Sequence, residues 1–253
     1  MTTLDWRTAI APLDLGDPHA AEALAAAWLK DALEEHASVA AFARFSMLLL
    51  SVGAPPELVI ASQRASLDEV EHARACFALA RRYGGRDVGP GPLDVQDSVQ
   101  ALSLAELVAL TVAEGCVGET LGALMAADQL TRVTDPEVAR VLKRIARDEA
   151  RHAELAWKFL AWALAQGLPG VELAARRALA TALEELSAMR IVDYGVELEL
   201  WHAHGRMTCA EARELGRAGI SEVVEPCMAA LFQAREQPAI ESRAIRESQP
   251  PRP

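Results

Sequence analysis

Apolar residues recur every three to four positions over long stretches of this chain, and Pro and Gly break the pattern at intervals. A first helix is predicted over 19–51, stopped by Gly53-Ala54-Pro55-Pro56. Pro55-Pro56-Glu57 opens a second, which ends near Tyr83 at Gly84-Gly85. Residues 85–101 contain Gly-Pro-Gly-Pro and no helical period, a connection of a length that is unusual inside compact domains. Ser103-Leu104-Ala105-Glu106 has the capping-box spacing and starts a third helix. Asp135-Pro136 starts a fourth, running to about 166 and ending at Gly167-Leu168-Pro169-Gly170. Two further helical stretches follow, 171–192 and 208–233, and Pro226 is expected to kink the second. His202 and His204 fall between them in a segment read as irregular. Residues 1–18 read as an N-terminal extension, and the polar, Pro-rich 235–253 as a disordered tail.

Composition agrees with an all-α chain. Of 253 residues 51% are hydrophobic, but only 5% are aromatic, so the apolar content is mainly that of good helix formers. A net charge of −11 offers no overall basic surface for phosphates, so neither nucleic acid nor an anionic membrane is an expected partner. The longest apolar stretches are interrupted by Arg, Glu or Gly short of a membrane span. Cys76, Cys116, Cys209 and Cys227 form no Cys-x-x-Cys pair, and no signal peptide is read; a cytoplasmic location is expected.

The chemistry lies in a repeated motif. The second helix contains Asp68-Glu69-Val70-Glu71-His72-Ala73 and the fourth Asp148-Glu149-Ala150-Arg151-His152-Ala153. Glu and His at i and i+3 stand about 60° apart on one helix face, so a carboxylate and an imidazole can reach one metal. A single such pair is commonly a solvated charge cluster, but two with the same flanks in apolar settings are not readily explained that way. Glu35 precedes Glu69 by 34 residues and Glu114 precedes Glu149 by 35, which reads as a two-helix unit used twice. Glu35 shares a stripe with Trp28, Ala32, Val39, Phe42 and Leu49, and Glu114 with Leu107, Leu110, Val117 and Leu121. Four buried carboxylates carry four negative charges, which two divalent cations would balance. Oxygen-rich ligation with one imidazole per ion suits iron or manganese better than zinc.

In these motifs the chain resembles the ferritin-like di-iron carboxylate proteins, among them bacterioferritins, rubrerythrins and tRNA-hydroxylase-like members. The resemblance spans about residues 20–166. It implies a four-helix bundle with one long crossover over 19–166, with residues 167–234 forming two additional C-terminal helices packed on it. It further implies two iron ions, with manganese as the alternative, held by Glu35, Glu69, His72, Glu114, Glu149 and His152, with Glu69 and Glu149 bridging. Asp68 and Asp148 would orient the imidazoles from behind. Glu119, five residues after Glu114, would be a mobile seventh ligand or proton relay, or else a surface or interhelical acid. Gly115, Gly118 and Gly122 beside it would allow close packing or open a channel. The chain departs from the family's pattern in having no rubredoxin-type Cys module and Val70 where bacterioferritins carry a haem-ligating Met. Tyr83 stands roughly 16 Å along the helix from His72, too far for a radical tyrosine.

The expected activity is that of an oxidoreductase using O₂ or peroxide, with oxygenation of a small organic substrate favoured and the electron donor unspecified. A ferroxidase or peroxide-reducing protein is one rival and a metal-free helical scaffold another. A tRNA substrate is opposed by the net charge, and a homodimer is left open. An open apolar pocket beside the acids would favour the oxygenase, and a filled interior the iron- or peroxide-handling protein.

Overall fold

The computed structural model describes residues 6, 10–96, 98, 100–188 and 194–234. Among them there is helix and no strand. Helix α1 spans Pro18–Ser51, with the Asp17 carboxylate accepting from the backbone N–H of His19 and Ala20. After a short turn with Gly53 at φ 69°, α2 spans Pro56–Gly84 and stops at Gly85 in the left-handed conformation. The two pack along their lengths as a hairpin.

The 85–101 connection leads to the capping box of Ser103 and Glu106, which opens α3, Leu104–Thr111. The rod continues without a break through a π-helical segment, Val112–Glu119, into α4, Thr120–Arg132. Asp135 caps α5, Pro136–Ala165, which packs back along this rod and also meets α2. By length and hydropathy alone, Leu104–Arg132 is long and apolar enough to cross a membrane, contrary to the expectation of interrupted stretches. Its isolated Glu residues do not offset the surrounding Leu, Val and Ala, and in the fold its apolar side lies against α5 and α6.

Beyond α5 come α6, Val171–Ala188, α7, Leu198–Ala203, and α8, Cys209–Gly219. His202 therefore sits in a short helix and His204 at its C-cap, where an irregular segment was expected. The Pro226 kink takes the form of a π-helical turn, Ile220–Val224, after which helix resumes over 225–234. A proline lacks its N–H and crowds the carbonyl four residues back, and a widened turn relieves both. The proposed disordered tail and residues 189–192 lie outside the described residues.

Among the described residues the core has two large apolar blocks and a smaller one of Val117, Leu121, Ile220 and Val224. Of the large blocks, one gathers Trp28, Phe77, Leu79, Val138, Leu142 and Trp201. The other gathers Leu49, Leu107, Val108, Phe159, Leu160 and Val171. Between them lies a layer of buried Glu69, His72, Asp148, Glu149 and His152.

Candidate metal centre

Six side chains converge in this layer. Glu35 comes from α1, Glu69 and His72 from α2, Glu149 and His152 from α5, and Glu119 from the end of the π-helical segment. They form two overlapping groups, Glu35, Glu69, His72 and Glu149, and Glu69, Glu119, Glu149 and His152, in each of which ligand atoms lie within 4.8 Å of one another. Nδ1 of His72 lies 3.4 Å from Glu35, 3.6 Å from Glu69 and 3.4 Å from Glu149. Nδ1 of His152 lies 3.0 Å from Glu69, 3.7 Å from Glu119 and 3.8 Å from Glu149. Each imidazole thus has one acid of its own and shares Glu69 and Glu149 with the other.

Behind the centre the pairing is crossed. Nε2 of His72 on α2 meets Asp148 on α5 at 3.2 Å, and Nε2 of His152 on α5 meets Asp68 on α2 at 3.4 Å. Arg151 spans both acids, reaching Asp68 at 2.9 Å and Asp148 at 2.8 Å.

The donor set fits a pair of cations. Nδ1 of both imidazoles and one oxygen of Glu69 are buried without a hydrogen-bond partner, a costly state unless another species takes the lone pairs. Around an ion with bonds of about 2.1 Å, neighbouring octahedral ligands stand about 3 Å apart and opposite ones about 4 Å, the range found here. Without metal, protons must hold the cluster together. Burial pushes the carboxyls of Glu35 and Glu119 well up, and Glu69 and Glu149 respectively add to the rise. Burial would likewise raise Glu69 and Glu149, but the nearby imidazoles and those protonated acids outweigh it and hold both below the usual range. Burial would lower the imidazoles, yet the surrounding carboxylates raise both, His152 to about 12.

Glu114 does not join the cluster. Its side chain is 57% exposed and pairs with Arg44 at 3.6 Å, whereas that of Glu119 is 18% exposed. The buried face of the rod runs through Thr111 and Val112 and then through Cys116 and Val117, each five residues later. That spacing belongs to the π-helical segment, whose i to i+5 turns insert one residue relative to an α-helix. The insertion turns Glu114 outward and aims Glu119 at His152. The five-residue separation of the two acids was the one sign in the sequence, and it did not indicate which would face inward.

Two cavities flank the centre on the side between α1 and the α3–α4 rod. One of about 380 Å³ is walled by Phe42, Phe45, Leu110, Leu155 and Ala156, with Glu119 and His152 at its inner end and Arg44 and Glu114 at its more exposed end. Phe42 lies edge-on to His152, ring centroids 4.9 Å apart. The other, of about 800 Å³, reaches Glu35, Glu69 and Glu149 and is covered by Tyr194, Trp201 and Arg206 of the C-terminal region. The glycines divide between the two roles expected of them. A Cβ on Gly115 would come within 2.5 Å of that of Ala156, so this one permits close packing, while Gly118 and Gly122 line the larger cavity.

Fold and site together define an all-helical protein with a buried carboxylate–imidazole cluster able to hold metal. No protein-family model, curated protein or solved structure matches this chain.

Proposed function

We propose that the protein is a ferritin-like di-metal carboxylate oxidoreductase, loaded with iron or manganese, that uses O₂ or peroxide to oxygenate a small organic molecule. On this reading α1, α2, the α3–α4 rod and α5 are the four-helix bundle, the 85–101 connection is its crossover, and the later helices pack against it. The reading rests on Glu69 and Glu149 standing between two imidazoles, each of which has an outer acid of its own, Glu35 or Glu119.

The bound pair of ions would supply redox chemistry toward O₂ or peroxide. The residues supply the rest. Glu69 and Glu149 would bridge, while Glu35 and Glu119, the two acids readiest to take a proton in the metal-free cluster, sit where ligation can change. Asp148 and Asp68 would fix which imidazole nitrogen carries the proton and leave Nδ1 free to ligate. The 380 Å³ cavity favours an organic substrate over a pure iron- or peroxide-handling role, because an apolar chamber opens on His152 and Glu119.

Metal analysis after loading tests the centre, and two ions per chain are expected. Anaerobic Fe(II) loading followed by O₂, watched by absorbance with and without small apolar candidates, tests the activity. A chain that retains far less than two ions would instead support the scaffold.

A further inference from the structure

The 380 Å³ chamber carries charge only at its two ends. Its walls are apolar, and the two hydroxyls among them are occupied within their own helices. Ser38 donates to the carbonyl of Glu34 at 3.2 Å, and Thr111 to that of Leu107 at 2.8 Å. Glu119 and His152 at the inner end belong to the candidate metal centre. Arg44 from α1 and Glu114 from the π-helical segment face each other at the outer end. Their approach of 3.6 Å is too long for a hydrogen bond, and among the described residues neither side chain hydrogen-bonds elsewhere. The Arg44 side chain is only 29% exposed, so water covers it incompletely. The mouth thus sets one cation beside one anion, each with unused hydrogen-bonding capacity, over an apolar shaft.

We propose that the substrate of this chamber is an apolar α-amino acid, with its carboxylate on Arg44, its ammonium on Glu114 and its side chain directed at His152 and Glu119; the assignment rests on the di-metal oxygenase reading. Opposite charges side by side are neutral as a pair, so the mouth selects neither an acid nor an amine. A plain carboxylate on Arg44 would lie against Glu114, and a plain amine on Glu114 against Arg44, each with one repulsive contact. A zwitterion meets both members with the matching charge, and a guanidinium can take a carboxylate through two parallel N–H donors. An uncharged molecule leaves both charges unmatched. The body of the substrate is apolar because the walls have no free donor, and a polar group there would lose its water without replacement. The reach also fits. Glu114 and Glu119 stand one π-helical turn apart, about 5 Å along the rod, so atoms about four or five bonds in from the head lie level with Glu119. A phenylalanine side chain is of that length, and Phe42 and Phe45 offer it aromatic walls. Oxygenation by peroxide balances without a further reductant: R–H and H₂O₂ give R–OH and H₂O, as a C–H bond and the O–O bond break and a C–O bond and an O–H bond form.

Four ligands that share one phenyl body test the head: L-phenylalanine, 3-phenylpropanoate, 2-phenylethylamine and 2-phenylethanol, each titrated calorimetrically into Mn(II)-loaded protein without oxidant. L-phenylalanine should bind saturably and at least tenfold more tightly than the other three. Arg44→Gln should bring the amine level with phenylalanine or above it, and Glu114→Gln should do the same for the carboxylate. Ala41→Trp, which fills the chamber, should abolish binding while both ions are retained. Absent phenylalanine binding, equal or tighter binding of any of the other three to the unaltered chain, or preferences that these variants do not move would overturn the assignment. The oxygenase reading is tested separately. Peroxide added to the iron-loaded complex should give phenylalanine heavier by one oxygen, detected by mass. No such product with binding intact would count against the oxygenase reading and leave the zwitterion site standing. A chain that takes up no Mn(II) would likewise count against that reading, and the same titrations into the metal-free chain would still decide the head.

Discussion

Asp148 on α5 accepts from Nε2 of His72 on α2 at 3.2 Å while its own side chain is wholly buried. The acid preceding one Glu-x-x-His motif thus holds the imidazole of the other, and the mirrored contact of Asp68 with His152 makes the arrangement reciprocal. The two motifs are halves of one centre.

Weakening that contact should act on one half. Asp148→Asn is expected to lower metal affinity about 10- to 100-fold, as removal of such supporting partners does. The loss should fall on the ion beside His72 and spare the one beside His152. Titration with Mn(II), followed by calorimetry, separates the two events. Equal loss at both would mean that Asp148 acts through the fold.

Ligand substitutions should sort by position. Glu69→Ala or Glu149→Ala should remove both ions, because each acid faces both imidazoles. Glu119→Ala should release the ion beside His152 only. Glu114→Ala should retain both, since its carboxylate pairs with Arg44 outside the cluster. Metal per chain by elemental analysis reads all four.

Protons should replace metal in the chelated protein, with a definite pH signature. Glu69 and Glu149 ionised, Glu35 and Glu119 protonated and both imidazoles charged make a neutral cluster. The folded-state pKa of each imidazole lies above its ordinary 6.5, so its contribution is complete below that value and is lost as pH rises through the folded one. The raised Glu35 and Glu119 act in the same direction from 4.5 upward, while Glu69 and Glu149 stabilise above 4.5 and fail as acid protonates them. The chelated protein should therefore lose stability toward alkaline pH, by at most about 1.4 kcal/mol per pH unit for each differing proton. Metal uptake should release protons and tighten with pH. Melting temperature against pH, with and without chelator, checks the opposite trends, and chelation near pH 6 should lower it only modestly.

Close approach of the π-helical segment to α5 should be sensitive to one methyl group. Gly115→Ala would set two Cβ atoms 2.5 Å apart, so a loss of about 1–3 kcal/mol is expected. Adding Ala156→Gly should recover much of it. Urea unfolding of the single and double variants measures the difference.

Much of the fold was legible because helix signals are local. Asp17, Ser103, Asp135 and Thr208 each cap the helix that follows, and Gly85 ends α2 in the conformation that favours glycine. The Glu-x-x-His pairs were legible for the same reason, since i and i+3 share a face in any α-helix. Glu114 misled because its stripe assumed 3.6 residues per turn throughout, and the rod adopts wider turns over Val112–Glu119. His202 and His204 misled because a six-residue helix has too few turns to show a period.

The sequence by itself determined where the long helices begin, and that two of them carry matched carboxylate–imidazole pairs, because capping and helical spacing act within a few residues. Tertiary structure alone decided that Glu119 rather than Glu114 faces His152, that each aspartate serves the opposite helix, and that an apolar chamber opens beside the acids. These depend on how separate helices are rotated and spaced against one another, which is set by packing between residues far apart in the chain.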